Sequence, residues 1–214
     1  MISEIEELKN MVIMGDVEKA LKITDVLLEK GVNPYDILTK ALEPAMAIVG
    51  EKFDKLEIFL PEVLTAADTM REVLEKKLKP LFLREKKGEK IGKVVIGTIE
   101  GDIHDIGKNI VATMLEVAGF EVIDLGRDVP VKRFIEEAEK MKADIIAVSA
   151  LMTTTMYNMP RLIRDLKDLG IREKYKVMVG GAPVLPEWAK EIGADGYGKD
   201  FKEAVEVARK LVGR

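Results

Sequence analysis

Residues 93–119 read KVVIGTIEGDIHDIGKNIVATMLEVAG, and this stretch determines the fold of the C-terminal half of the chain. It begins with an apolar run, residues 94–98, which has the length of one short buried strand. A polar loop follows, and residues 106–118 then show the apolar spacing of a helix that closes at Gly119. A buried strand followed by a loop and a helix is the repeating unit of parallel sheets that carry helices on both faces.

The same unit recurs to the end of the chain. The further strands are predicted at residues 120–125, 144–148, 176–179 and, most weakly, 194–197. The further helices are predicted at residues 130–141, 156–169, 186–191 and 201–212. This alternation predicts an α/β fold, a flavodoxin-like (Rossmann-like), doubly wound, five-stranded parallel sheet. Such sheets bind ligands at the carboxyl ends of their strands, near the point where the strand order reverses.

Residues 1–80 have a different pattern, with apolar residues at helical spacing. Four amphipathic helices joined by short loops predict a small four-helix bundle, in which Pro44 and Gly50 kink or end the third helix. A segment rich in lysine and glutamate separates the two halves, and its second part, around Gly88, is predicted to be a solvated linker. The predicted domains are therefore residues 1–88 and residues 89–214.

Composition excludes several classes of function. The 214 residues include no cysteine and a single histidine, His104, so the chain cannot supply the roughly four N/S ligands of a structural zinc site. A net charge of −4 gives no basic surface for nucleic acid. No apolar run approaches the ~18 residues of a membrane span, and the acidic N-terminus does not resemble a signal peptide. We therefore expect a cytoplasmic protein that binds neither nucleic acid nor membrane.

The first candidate site is the loop after the first strand, which contains Asp102, His104 and Asp105. Because this loop ends a strand and opens a helix, it lies at the ligand-binding edge of the predicted sheet. An imidazole is a good ligand for a transition metal, and a carboxylate two residues away can accept the other ring N–H. The alternative is that Asp102 or Asp105 caps the helix and that His104 is an ordinary loop residue.

Two further loops are predicted at the same edge. Residues 149–155 contain four hydroxyl side chains, which either surround a ligand or cap the next helix. Gly180 and Gly181 follow the fourth strand, where they either let a ligand approach the backbone or form a simple turn. The chain contains neither G-x-x-x-x-G-K-[ST] nor G-x-G-x-x-G, so no motif supports a nucleotide site.

Taken in order, these motifs resemble a known family. DIHDIG at 102–107, SAL at 149–151 and GG at 180–181 resemble the cobalamin-binding signature of methionine-synthase-type corrinoid domains. In the helical half, GEKF at 50–53, IFLPEV at 58–63 and ADTM at 67–70 are similar to the helical cap that precedes such domains. The resemblance covers nearly the whole chain. It is closest to the small corrinoid proteins of methyl-transfer systems for methanol, methylamines and methoxylated compounds.

The resemblance implies a set of residues around the cobalt. His104 would be the lower axial ligand of the metal, replacing the cofactor's own nucleotide base. Asp102 would hydrogen-bond the other imidazole nitrogen. Thr155 stands where the family commonly has a serine that completes this relay.

The resemblance also implies residues that contact the rest of the cofactor. The displaced nucleotide tail would enter beside Gly107, and Gly180 and Gly181 would make room for its base. The other residues implied around the tail and its entrance are Asp105, Ile106, Ser149, Leu151 and Thr153. The residues implied in the cap over the upper face of the corrin are Phe59, Val63 and Met70, unless these are simply bundle core.

The implied function is that of a corrinoid methyl carrier that binds cobalamin in the base-off, His-on form. Such a carrier takes a methyl group at cobalt from a substrate-specific methyltransferase and passes it to a second methyltransferase, whose acceptor is coenzyme M or a tetrahydropterin. A reductive activase is a further expected partner, and the chain is not expected to be an enzyme on its own. Access of both partners implies a hinge at residues 80–90. The alternatives are a cobalamin-dependent sensor, an adenosylcobalamin mutase subunit and a flavodoxin-like protein without cobalt.

Overall fold

The computed structural model describes residues 2–84 and 91–213. The chain divides into two compact units, Met1–Glu85 and Lys86–Arg214. The predicted domain boundary after residue 88 and the predicted linker around Gly88 lie outside the described residues, as does the second half of the predicted hinge. Each unit is described by itself below.

The N-terminal unit is entirely helical in its described residues. Its six α-helices are α1 (Ile2–Met14), α2 (Val17–Glu29), α3 (Pro34–Ile37), α4 (Glu43–Asp54), α5 (Leu60–Val73) and α6 (Lys79–Arg84). A π-helical turn, Leu38–Leu42, joins α3 to α4, and a second one, Leu74–Leu78, joins α5 to α6. Because each π-helical turn joins two α-helices into one continuous helix, the unit has four long helices in its described residues, as the apolar spacing predicts. Their apolar side chains form the core, in which the largest fully buried ones include Leu8, Leu27, Leu38, Leu42, Leu78 and Phe82.

Pro44 and Gly50 were predicted to kink or end the third helix. The prediction that the helix ends at either residue is wrong. The helix continues through both residues to Asp54. At the π-helical turn the N–H of Glu43 donates to the carbonyl of Leu38, five residues back. Pro44 follows at this change of register, in the first turn of α4, where a missing backbone N–H is tolerated.

The C-terminal unit is a parallel sheet with helices on both faces. Its strands are β1 (Lys93–Thr98), β2 (Glu121–Asp124), β3 (Ile145–Ser149), β4 (Lys176–Gly180) and β5 (Gly196–Gly198). Its helices are α7 (Ile106–Val117), α8 (Val131–Met141), α9 (Thr153–Met156), α10 (Met159–Asp168), α11 (Pro186–Glu191) and α12 (Phe201–Leu211). The strand order is β2-β1-β3-β4-β5, with every pair parallel. This order confirms the flavodoxin-like doubly wound fold, and the order reverses between β1 and β3.

The register of the strands places the three predicted loops at one edge. Thr98, Ser149 and Gly180 are consecutive partners at the carboxyl ends of β1, β3 and β4. Two apolar cores, one on each face, hold the sheet between its helices. The predicted helix at residues 156–169 is α10, which begins three residues later, at Met159. Pro160 lies in the first turn of α10, where proline is favoured, and α9 forms a separate short helix before it.

Candidate functional site

Asp102 is the buried centre of the site. Its carboxylate has no solvent-exposed surface and accepts five hydrogen bonds from described residues. Oδ1 lies 2.7 Å from Nδ1 of His104 and 3.1 Å from the backbone nitrogen of the same residue. Oδ2 accepts the backbone N–H groups of Leu151, at 2.8 Å, and Met152, at 3.1 Å. These partners join the loop after β1 to the loop after β3, so Asp102 does not serve as a cap for α7.

The charge of Asp102 follows from the same contacts. Burial of the carboxyl raises its pKa, but the hydrogen bonds from the Thr155 hydroxyl and from the N–H groups of His104 and Leu151 outweigh burial and lower it to about 2. The group is therefore an anion at neutral pH. Because an anionic carboxylate can only accept, Nδ1 of His104 carries the proton in this contact, and in the neutral imidazole the lone pair is then on Nε2.

Thr155 completes a line of three side chains. Its hydroxyl lies 2.7 Å from Oδ2 of Asp102, on the side of the carboxyl group opposite the imidazole. The side chain is buried and belongs to α9, the short helix between β3 and α10. The structure thus brings Thr155, Asp102 and His104 together in that order.

The backbone and Nδ1 of His104 are hydrogen-bonded within the protein, whereas its imidazole is partly exposed. Thr98, which is buried at the end of β1, donates its hydroxyl to the backbone carbonyl of His104 at 2.8 Å. The imidazole itself is 45% exposed, and Nε2 makes no hydrogen bond to the described residues. No group of three or more His, Asp or Glu side chains in the described part of the chain could hold a metal ion. A metal bound at Nε2 must therefore bring most of its own ligands.

The beginning of α7 borders open space. Asp105 occupies the position before the helix, where its side chain makes no capping hydrogen bond, and Ile106 is the first helical residue. Gly107 is exposed, and a Cβ atom built on it meets nothing within 4 Å. A ligand group can therefore approach the backbone here without meeting protein atoms.

The residues predicted to line the nucleotide tail fall into two groups. Ser149 is half-buried at the end of β3, while Leu151 and Thr153 are exposed at the sheet edge. The fold itself requires glycine at positions 180 and 181. A Cβ on Gly180 would lie 2.7 Å from the carbonyl oxygen of Gly198, and one on Gly181 would lie 1.8 Å from that of Ala150. Protein backbone fills the space that a side chain would take at both glycines, and their place beside the cofactor base stays a prediction.

The three predicted cap residues differ in their surroundings. Phe59 is 65% exposed and Val63 is half-buried. Met70 is only 1% exposed, which makes it a core residue and corrects its assignment to a cofactor-facing surface. The exposed apolar residues that surround Phe59 in sequence are Phe53, Leu56, Leu60 and Leu64. None of these four was named as a cap residue from the sequence, although the spacing of four between Leu60 and Leu64 places both on one side of α5.

Sequence reasoning also missed polar residues that support the site. Lys108 is buried and forms an ion pair with Asp124, whose carboxylate oxygens both lie 2.6 Å from its amine. Asp128 contacts the loop that carries His104. Lys108 is a charged residue within the apolar pattern of α7, which indicates that it has a buried partner. That partner is 16 residues away in sequence, and no local spacing identifies it.

The fold and the site together define a class of protein. A doubly wound sheet with a half-exposed histidine at its carboxyl edge, paired to a buried aspartate, is a site for a metal cofactor that carries its own ligands. Family models described as B12 binding domain match residues 92–206 and residues 4–76. The described residues contain no helix long and apolar enough to cross a membrane.

The similar proteins give the particular family. Trimethylamine corrinoid protein 1 of Methanosarcina acetivorans is 46% identical over 97% of this chain and 96% of its own length. The monomethylamine corrinoid protein of Methanosarcina barkeri has a solved structure with a TM-score of 0.90 and 38% identity over 96% of both chains. The methanol:cobalamin methyltransferase complex MtaBC of the same organism matches with a TM-score of 0.54 and 32% identity, over 98% of this chain and 80% of that chain. The chain belongs to the B12-binding domain family and, within it, to the methylamine-type corrinoid proteins of methyltransferase systems, with cobalamin as cofactor.

Proposed function

We propose that this protein is a methyl carrier that holds cobalamin in the base-off form, with Nε2 of His104 as the lower axial ligand of cobalt. The observation that carries the proposal is the line Thr155–Asp102–His104, which ends in a half-exposed ring nitrogen with a free lone pair. The residues present fit the cofactor. Cobalamin brings four equatorial nitrogen ligands of its own, and the site offers the one imidazole that such a metal needs.

Bound cobalamin would supply the methyl-transfer chemistry. The residues of this chain would hold the metal and fix the ring that contacts it. Asp102 accepts a hydrogen bond from Nδ1–H, which sets the tautomer and orientation of the ring. Thr155 holds the far oxygen of the same carboxylate, so the negative charge stays next to the ring. Together these contacts pre-orient His104 toward the metal before the cofactor arrives.

The surroundings of His104 suit a large, flat, partly apolar ligand. Ile103, Leu151 and Met152 expose apolar side chains near it in the C-terminal unit. The open space at Gly107 provides an entrance for the nucleotide tail, with Ser149 and Thr153 as polar partners. In the N-terminal unit, described by itself, the side chains of Phe59 and Leu60 are exposed and apolar.

The partners follow from the carrier role and from the similar proteins. The likeness to the methanol:cobalamin methyltransferase complex supports a substrate-specific methyltransferase as the first partner. The names of the trimethylamine and monomethylamine relatives support a methylated amine as the donor. A second methyltransferase, acting on coenzyme M or a tetrahydropterin, and a reductive activase complete the proposed system. On this proposal the chain has no turnover without them.

The test is reconstitution of wild type, His104→Ala and the control Lys132→Ala, an exposed residue of α8, with methylcobalamin. We expect about one cobalt per chain in wild type and control, because the site offers one axial ligand. The visible spectrum should show the cofactor's own base displaced and an imidazole bound. That imidazole signature should be absent from His104→Ala alone. Cobalt uptake with an unchanged spectrum in His104→Ala would contradict the assignment of the axial ligand, and failure of folded wild type to take up cobalt would contradict the carrier function.

A further inference from the structure

The loop between β2 and α8, residues 125–130, lies along the loop that carries His104. Its backbone continues the edge of the sheet, because Thr98 donates its N–H to Gly126 at 3.0 Å and accepts the N–H of Val129 at 2.9 Å. Between these two residues, Asp128 makes two contacts of its own. Oδ1 of Asp128 accepts the N–H of Gly101 at 2.7 Å, and its backbone N–H donates to the carbonyl of Asp102 at 2.9 Å.

The backbone conformation of Asp128 makes this pair of contacts possible. Its φ angle is +53°, in the left-handed region that non-glycine residues rarely adopt, apart from asparagine and aspartate. In this conformation one residue presents its N–H and its side-chain oxygen to the same neighbouring loop. Gly101, the residue it holds, also has a positive φ, of +86°. Two unusual backbone conformations therefore meet at the turn immediately before Asp102.

The position of this turn decides the position of the imidazole. Asp102 holds the ring through Oδ1, and Thr155 and the N–H groups of the loop after β3 hold the same carboxylate. If the backbone at Gly101 and Asp102 shifts, the carboxylate can no longer meet both sets of partners. Asp128 is exposed and does not touch His104, so any effect on the ring must pass through this turn.

We propose that Asp128 is a positioning residue for His104. From the β2–α8 loop, Asp128 fixes the turn at Gly101 and Asp102. It does so through one acceptor oxygen and its left-handed backbone conformation, and not through its charge. The effect of Asp128 on cobalt ligation rests on the proposed function. Its effect on the loop that carries His104 does not need the cofactor. Asparagine keeps the acceptor oxygen and tolerates the left-handed backbone, whereas glycine keeps only the backbone freedom.

The experiment compares Asp128→Asn, Asp128→Gly and the control Lys142→Gly. Lys142 is a second non-glycine residue of the C-terminal unit with positive φ, +52°, at the C-terminus of α8. The first measurement is amide hydrogen exchange in the cofactor-free protein. For Gly101 and Asp102 we expect exchange about fivefold faster or more in Asp128→Gly, since one hydrogen bond is lost and another loosened. Asp128→Asn and the control should keep the wild-type rates at these two amides.

The second measurement is the visible spectrum after loading with methylcobalamin. A larger fraction without the imidazole ligand is expected in Asp128→Gly, and wild-type ligation is expected in Asp128→Asn. Wild-type exchange rates at Gly101 and Asp102 in Asp128→Gly would overturn the proposal that Asp128 fixes this turn. Rates in Asp128→Asn as fast as in Asp128→Gly would overturn the role of the acceptor oxygen. If wild type itself shows no imidazole ligand, the proposed function fails, and the exchange rates still decide whether Asp128 braces the loop.

Discussion

The hydroxyl of Thr155 lies 2.7 Å from Oδ2 of Asp102, although 53 residues separate the two in sequence. The same hydroxyl lies 2.9 Å from the carbonyl of Met152, and its single proton can serve only one of the two acceptors at a time. The carboxylate is the stronger acceptor because it is charged. Thr155 therefore stabilises the anionic form of Asp102, and the same anion orients His104.

Thr155→Val tests this contact, because it keeps the shape of the side chain and removes the hydroxyl. We expect a loss of about 1.5–3 kcal/mol in the free energy of unfolding at pH 7, since a hydrogen bond to a buried charged group is lost. The measurement is urea unfolding of the cofactor-free protein. Thr155→Ser keeps the donor and should lose less than about 1 kcal/mol. A loss in Thr155→Ser with none in Thr155→Val would mean that the methyl group of Thr155, and not its hydroxyl, contributes the stability.

The low pKa of Asp102 predicts how stability depends on pH. Its folded-state pKa of about 2 lies below its usual value of 3.8, so its contribution is fully present above about pH 4 and is lost as pH falls toward 2. With 1.36 kcal/mol per pKa unit, the contribution is about 2 kcal/mol. Urea unfolding of wild type and Asp102→Asn from pH 6 to pH 3 measures it. The difference between the two proteins should narrow below pH 4, and a constant difference across this range would contradict the prediction.

Gly107→Ala separates a requirement of the cofactor from a requirement of the fold. A Cβ here meets no protein atom within 4 Å and lies near the start of α7, so the cofactor-free protein should be as stable as wild type or gain up to about 1 kcal/mol. Cobalamin binding should weaken, because the added methyl group enters the proposed path of the nucleotide tail. Thermal unfolding and equilibrium binding of methylcobalamin provide the two readouts. Unchanged binding would contradict the proposed path.

Gly181→Ala is the matched control for that experiment. Its Cβ would lie 1.8 Å from the carbonyl oxygen of Ala150, and its φ of +116° is unfavourable for alanine. This variant should lose stability before any cofactor is added, by several kcal/mol on the scale of backbone strain.

The helical unit offers a comparison of core with surface. Met70→Ala should lose about 2–5 kcal/mol in the free energy of unfolding, because a fully buried side chain is truncated. Phe59→Ala should lose less than about 1 kcal/mol, because most of that ring is exposed. Urea unfolding followed by circular dichroism checks both. A large loss of stability in Phe59→Ala would contradict its role as a surface residue that is available to the cofactor.

The helical periodicity of residues 1–80 is a local pattern, and so is the strand–loop–helix repeat after residue 93. These two patterns by themselves determined the fold class of each unit. The same local reading placed Asp102, His104 and Gly107 at the ligand-binding edge, because parallel strands bring their carboxyl ends together. The loop after β1 was therefore the first candidate for the cofactor site. The single histidine of the chain left no other candidate for an imidazole ligand.

Only the tertiary structure decided which distant residues complete this site. Asp128 reaches the loop from a segment 27 residues away, and no sequence pattern indicated it. Thr155, 53 residues from Asp102, was implied only by the family resemblance, and the structure supplies the contact itself. The backbone carbonyls next to Gly180 and Gly181 and the core around Met70 were equally hidden, because burial depends on what packs against a residue. Periodicity reports which face of an element is apolar. It does not report which atoms from elsewhere in the chain meet that face, and those contacts require the folded coordinates.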